Sequence, residues 1–310
     1  MSRYDVITEI HKDIDHIEHV EKFNPYHDSR GRFASASGYA SFTFRTKDPK
    51  KQHMADMAIA REKERNAATV SAPKQGLVNG LGREHAEKIE ALVSNAPDFV
   101  KNAWNKYGDE VTVASNNHNG LGKCDGAGRI FVNIENDSKG QHKEAYETTM
   151  HESGHSIDRA ISRNFKNVSY RFSEDYKDGL FEKTLVKEAD AYVKNKQKQM
   201  SEEKGYKVKI GDARSAVSRE LMTNGLKGMR DVSDMFEGAT KGKVTGIAGH
   251  GKAYWTGRTF YGQKIPGKSV ALEAFAEMFS ATITNPASLE NIKKYFPESY
   301  GVFTEMLGGL

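Results

Sequence analysis

The pentapeptide His151-Glu152-Ser153-Gly154-His155 constrains this chain more than any other stretch. It lies within ETTMHESGHSIDRAIS, whose apolar positions recur at helical spacing. Histidines four residues apart on a helix stand about 40° apart around the axis and one turn apart along it, so both imidazoles reach a single metal ion. Glu152 lies about 100° from His151 and about 60° from His155, which sets its carboxylate beside that ion and leaves it free to take a proton from an activated water. A chain with this pattern has to bring a further ligand to the same helix face.

Composition narrows what that ligand can be. The single cysteine, Cys124, excludes an internal disulfide and a cysteine-based zinc site, which leaves histidine or carboxylate. A net charge of +4, set against 46 basic and 42 acidic side chains, creates no bulk field for nucleic acid, and clusters such as Lys194 to Lys198 read as solvated helix faces. The mean hydropathy of −0.70 describes a polar chain with one real core. No apolar run approaches about 18 residues, and charges interrupt the N-terminus every few positions, so neither a membrane span nor a signal peptide is expected. The expected location is the cytoplasm of the producing cell.

Along the chain, Tyr4, Ile7, Ile10, Ile14 and Ile17 predict an amphipathic helix on which His11, His16 and His19 are spread around the axis as exposed side chains. Residues 21–44 are rich in Gly, Ser and Arg and read as extended or disordered until bound. A charged helix follows from about Pro49 to Ala68, and the Gly-, Pro- and Ser-bearing stretch 68–82 places a boundary near residue 80. Residues 1–80 are thus expected to be a docking segment and 81–310 a folded domain. Within that domain 110–115 and 128–134 read as strands, the second setting a sheet edge just before the metal helix, where an extended peptide adds main-chain hydrogen bonds. Asp137 or Ser138 is expected to cap the metal helix, which runs to about Asn164. Asp158 either orients a ligand imidazole or is a surface acid. The charged region 166–260 predicts an inserted helical subdomain, and its glycine-rich loop carries His250, Tyr254, Trp255 and Arg258 as either a substrate wall or plain connecting turns.

After Ser269, VALEAFAEMFSATITNP has no wide polar face, so its helix is expected to be buried, yet Glu273 and Glu277 interrupt it. Two buried carboxylates one turn apart demand cations, donors or a metal. An ion pair to Arg159 or Arg258 is the alternative; metal ligation is the reading the upstream histidines favour.

The extended HExxHxxGxxH pattern fails, because Asp158 stands at its glycine and Ile161 at its last histidine. The blocks MHESGHSID, ALEAFAEMF and FPESYGVF instead resemble the catalytic domain of the anthrax lethal factor family of gluzincin metallopeptidases. The resemblance implies an α+β, zincin-like fold, mostly helical with a small mixed sheet. It implies one Zn2+ ion on His151, His155 and Glu273, with Glu152 as general base and Glu277 supporting the site from behind. It also implies endopeptidase activity on a protein or peptide substrate. This chain departs from the pattern in the long separation between His155 and Glu273. It also has Pro266 and Gly267 where the family carries an oxyanion-stabilising tyrosine, so that role falls to Tyr261 or Tyr254. Separately, Phe23-Asn24-Pro25-Tyr26-His27-Asp28 followed by Gly31-Arg32-Phe33-Ala34 resembles a segment of tailed-phage head proteins of the MuF type and the effectors fused to them. That likeness implies carriage in a virion and a capsid or portal partner for the N-terminal segment. It also keeps open a rival function, a virion structural or adaptor protein with a structural or vestigial metal site. Hydrolysis of a cell-wall amide is a third reading, which the edge strand disfavours.

Overall fold

Two helices with buried surfaces form the frame. In the computed structural model, which describes residues 71–120, 122–140, 143–165, 170–223, 226–260 and 263–310, the side chains of Leu226, Lys227 and Phe260 are left aside. The expectations for residues 1–70, including His11, His16 and His19, and for Tyr261 fall outside the described residues. The described chain is mostly helical with a small mixed sheet, and no described helix is long and apolar enough to cross a membrane.

Three helices open the folded region: α1 (Gln75–Leu81), α2 (Arg83–Ser94) and α3 (Asp98–Tyr107). Leu77 and Leu81 of α1 join the main core, so folded structure begins before residue 81, inside the stretch whose composition read as a boundary. The signal there was one short helix with two leucines, too little periodicity to outweigh Gly and Pro.

The sheet is β1 (Thr112–Ser115), β2 (Lys123–Cys124) and β3 (Arg129–Phe131), in the order β1-β3-β2, with β1 parallel and β2 antiparallel to β3. The strand before the metal helix is therefore central, a correction to the expected edge strand. The edge beside the site is β2, hidden within the glycine-rich loop because two residues carry no periodicity. Asp125 turns the chain between β2 and β3 by accepting from the backbone N–H groups of Ala127 and Arg129, both at 2.9 Å.

The expected single helix from Asp137 to Asn164 is broken in two, α4 (Ile134–Asp137) and α5 (Glu147–Ser162). Gly140 and Tyr146 both take positive φ between them, the tyrosine held there by a 2.9 Å hydrogen bond between its hydroxyl and His85 Nδ1. Asp137 does cap the metal helix, but across the break. Its carboxylate accepts from Thr148 N at 3.0 Å, Thr149 N at 2.8 Å and Thr149 Oγ1 at 2.6 Å.

Region 166–260 contributes α6 (Phe172–Asp175), α7 (Leu180–Lys204), α8 (Ile210–Thr223), α9 (Leu226–Ala239), α10 (Lys252–Thr256) and the first strand of a hairpin, β4 (Arg258–Phe260) with β5 (Gln263–Ile265). It is not a separate lobe. Phe181, Leu185, Val217, Leu221, Met235 and Phe236 share the core of the rest, since α9 lies against α11 (Val270–Thr284) and α12 (Pro286–Tyr295). A last helix, α13 (Pro297–Gly308), packs on α3 and α7.

The most extensive helix contact in the protein is α5 on α11. Gly154, between the two histidines, makes it possible, because a Cβ there would stand 2.9 Å from Ala276 Cα and 3.4 Å from Ala276 Cβ. Alanine at 154 adds about 1 kcal/mol of helix propensity, but a methyl against unyielding backbone costs about 1–3 kcal/mol. Gly154→Ala is therefore expected to lower the thermal midpoint and to loosen metal binding together. A midpoint equal to or above wild type would show that the two helices do not need this approach.

Candidate metal centre

The face of α5 that meets α11 carries both histidines. Their rings stand 4.8 Å apart between centroids and nearly perpendicular. From the opposing helix Glu273 Oε2 lies 3.4 Å from His151 Nε2 and 3.2 Å from His155 Nε2. These three residues form a buried group able to hold a metal ion. In a tetrahedral set with bonds of about 2.0–2.1 Å, neighbouring ligand atoms stand about 3.3–3.4 Å apart, which the two Glu273–imidazole distances match. Glu273 Oε2 is moreover buried and has no hydrogen-bond partner, a costly state for a carboxylate oxygen unless a cation sits against it.

The glutamates' partners bear on the alternative of an ion pair to Arg159. Glu273 faces the imidazoles and accepts on Oε1 from the Tyr254 hydroxyl. Glu277 Oε2 lies 3.2 Å from His151 Nδ1, behind the ring, close enough to act on that imidazole by its charge. Arg159 instead donates to the Tyr170 hydroxyl.

Glu152 is buried, and among the described residues no hydrogen bond or ion pair holds its carboxylate. Burial raises its pKa, against the opposing pull of His151 and His155. A carboxylate kept undonated and shifted upward is suited to accept and return a proton. Gly122, just before β2, approaches it closely: a Cβ there would stand 2.9 Å from Glu152 Oε1 and 2.6 Å from Thr148 Cγ2.

Asp158 is fully buried, so the surface-acid reading is wrong. Its oxygens accept from Ser173 N and Ser173 Oγ, each at 2.7 Å, and it thereby anchors α6 rather than an imidazole. Tyr254 reaches the site through its bond to Glu273, and Tyr261 lies outside the described residues.

Sequence reasoning missed a wall of acids on α9. Asp234 Oδ1 lies 2.9 Å from His250 Nδ1, and the His250 ring stacks on Tyr254 at 4.2 Å. Burial lowers the His250 pKa, but the hydrogen bond and charge of Asp234 outweigh this and raise it to about 9. Glu237 accepts from Gly251 N and Trp255 Nε1, both at 3.1 Å, and so ties the glycine-rich loop down. Asp234, His250 and Glu273 also lie close enough to be considered together as ligands, but the Asp234–His250 contact is an ordinary hydrogen-bonded pair. Asp231 accepts from Ser288 Oγ at 2.6 Å, and burial, with the charges of Glu277 and Glu147, holds its pKa well above the usual carboxylate range. The only available signal for these acids was their helical spacing on α9, Asp231, Asp234 and Glu237 at i, i+3 and i+6.

No protein-family model, curated protein or solved structure matches this chain.

The electrostatics give a sign for metal binding. Burial lowers the His151 pKa, but the charge of Glu277 and the close carboxylates of Glu273 and Glu277 dominate and hold it well above its ordinary value. A metal therefore competes with a proton for this ring more than it would at an ordinary histidine. Affinity is therefore expected to rise with pH toward this raised pKa, with protons released on binding. Calorimetric titration of the chelator-treated chain in two buffers of different ionisation enthalpy measures this. Glu273→Gln is expected to weaken binding at least tenfold, and equal affinity in that variant would remove Glu273 from the ligand set.

Proposed function

We propose that this chain is a zinc-dependent endopeptidase. The observation that carries the proposal is the meeting of His151 Nε2 and His155 Nε2 with Glu273 Oε2, at 3.4 and 3.2 Å, beside the unbonded Glu152 carboxylate. Two imidazole nitrogens and one carboxylate oxygen suit zinc, and three protein ligands are the set that leaves a catalytic zinc site open. Zinc held there supplies Lewis acidity, which polarises a carbonyl and lowers the pKa of water toward about 7.

The chain's own groups do the rest. Glu152 accepts the proton of the attacking water and returns it to the departing amine nitrogen. Its raised pKa makes it a better acceptor of that proton than an ordinary exposed glutamate. Tyr254, its phenol kept protonated by burial and by the Glu273 charge, stands at the edge of the site, and its hydroxyl would have to turn from Glu273 Oε1 to donate to the developing oxyanion. His250, pinned through Nδ1 and stacked on that tyrosine, adds positive charge at the same end. Glu277 and Asp137 act at one remove: the first stands behind His151, the second caps the helix that carries both histidines.

Peptide is favoured over a cell-wall amide by β2. It pairs only with β3 among the described residues and lies next to the glycine that approaches Glu152, where an extended chain would add main-chain hydrogen bonds. The N-terminal likeness to phage head proteins fits an effector or maturation enzyme carried by a virion, with a capsid or portal partner.

Glu152→Gln is expected to keep its zinc and lose cleavage by about 10²-fold or more. Comparing new protein N-termini in cells that express wild type or Glu152→Gln reads this directly. Identical sets of N-termini in the two, with zinc bound in both, would favour the virion structural role.

A further inference from the structure

A second feature lies away from the zinc ligands. One face of α8 and the turn after α9 enclose an open groove of about 650 Å³. Its charged lining is entirely cationic: Arg214 and Arg219 from the helix, Lys243 from the turn, and Lys252 at the start of α10. None of the four makes a salt bridge among the described residues. Two nearby cations are instead paired, Lys196 with Glu220 at 3.0 Å and Lys241 with Glu182 at 3.4 Å. The carboxylate of Glu220 on α8 is further occupied by the hydroxyls of Tyr192 and Tyr295. Four unpaired cations around one concavity repel one another and raise the local potential, and an anionic ligand relieves that repulsion.

We propose that this groove binds an acidic stretch of polypeptide and serves as a substrate-docking site for the cleavage centre. Three observations favour this ligand. The lining positions on α8 run from Gly211 to Met222 along one helical face, about 16 Å, which accommodates roughly five residues of extended chain. Met222 is half exposed at the end of that run, an apolar contact beside the charges that a peptide side chain can cover and an inorganic anion cannot. No aromatic ring lines the groove, so bases of a single-stranded nucleic acid find no stacking surface.

The groove also leads toward the catalytic residues. Lys252 opens the one-and-a-half-turn helix that carries Tyr254, and the backbone of Gly242, at the groove's floor, lies against Lys252. A chain held along α8 and leaving past Lys252 is delivered to the helix whose tyrosine bonds Glu273. The docking role thus rests on the peptidase reading, whereas binding in the groove does not.

The test separates the two. Full-length Glu152→Gln protein is titrated with a fluorescent oligoglutamate peptide containing leucine, and binding is followed by anisotropy. Affinity is expected to fall steeply between about 50 and 200 mM salt. The pair Arg214→Glu and Arg219→Glu is expected to weaken binding tenfold or more, while the control Lys88→Glu on α2 leaves it unchanged. Arg214→Gln with Arg219→Gln, which removes charge without adding any, is expected to give a smaller loss in the same direction and serves if the reversal does not fold. Equal affinity in wild-type and groove variants overturns the proposal, as does tighter binding of single-stranded RNA or effective competition by inorganic phosphate. In the active protein, the groove variants are expected to raise KM for acidic substrates with kcat and neutral substrates unaffected. Peptide binding without any cleavage leaves the groove standing and removes the peptidase reading; equal loss on acidic and neutral substrates removes the docking role.

Discussion

The site depends on one close approach. Two helices can bring a carboxylate within about 3.3 Å of two imidazoles on a facing helix only if their backbones nearly touch, and Gly154 against Ala276 gives that distance. The small residues lie in register with the ligands, Gly154 within the HExxH turn and Ala276 between Glu273 and Glu277. Packing and metal geometry are therefore set by the same contact. Ser280 Oγ, which donates to the Glu147 carbonyl at 2.8 Å, ties the two helices again two turns away.

Around this contact the protein buries many carboxylates and gives them two kinds of work. One set holds helix starts or loops that lie far off in sequence: Asp137 at Thr148 and Thr149, Asp158 at Ser173, and Glu188 at the first turn of α13, where it accepts from Glu298 N at 2.7 Å and Ser299 N at 2.9 Å. Main-chain N–H groups satisfy these acids and also position elements against the core. The other set, Glu152, Glu273, Glu277, Asp231 and Asp234, gathers near the imidazoles with far fewer main-chain donors. There burial pushes Glu152, Asp231 and Asp234 upward, while the imidazoles, against burial, pull Glu273 and Glu277 down. Concentrated buried negative charge of this kind is an environment that stabilises a bound dication.

The region between His155 and Glu273 changes meaning in this light. As sequence it resembled an insertion between the halves of a site. Folded, α9 supplies a wall of that site, Glu237 fastens the loop carrying His250 and Tyr254, and α7 and α8 complete the core around it. The same segment carries the cationic groove, where substrate recognition is proposed to lie.

The sequence by itself determined the chelating pair and the carboxylate beside it, because i, i+4 geometry is local and any helix there delivers it. It also exposed Glu273 and Glu277, since two acids in an otherwise apolar helix are anomalous whatever packs against them. Only the tertiary structure decided which oxygen meets the imidazoles and that Asp158 binds Ser173. It also decided that Asp137 caps a helix ten residues away and that the edge strand is Lys123–Cys124. Each of these turns on distances between segments far apart in the chain, or on elements too short to carry a period, and neither leaves a signature in local residue pattern.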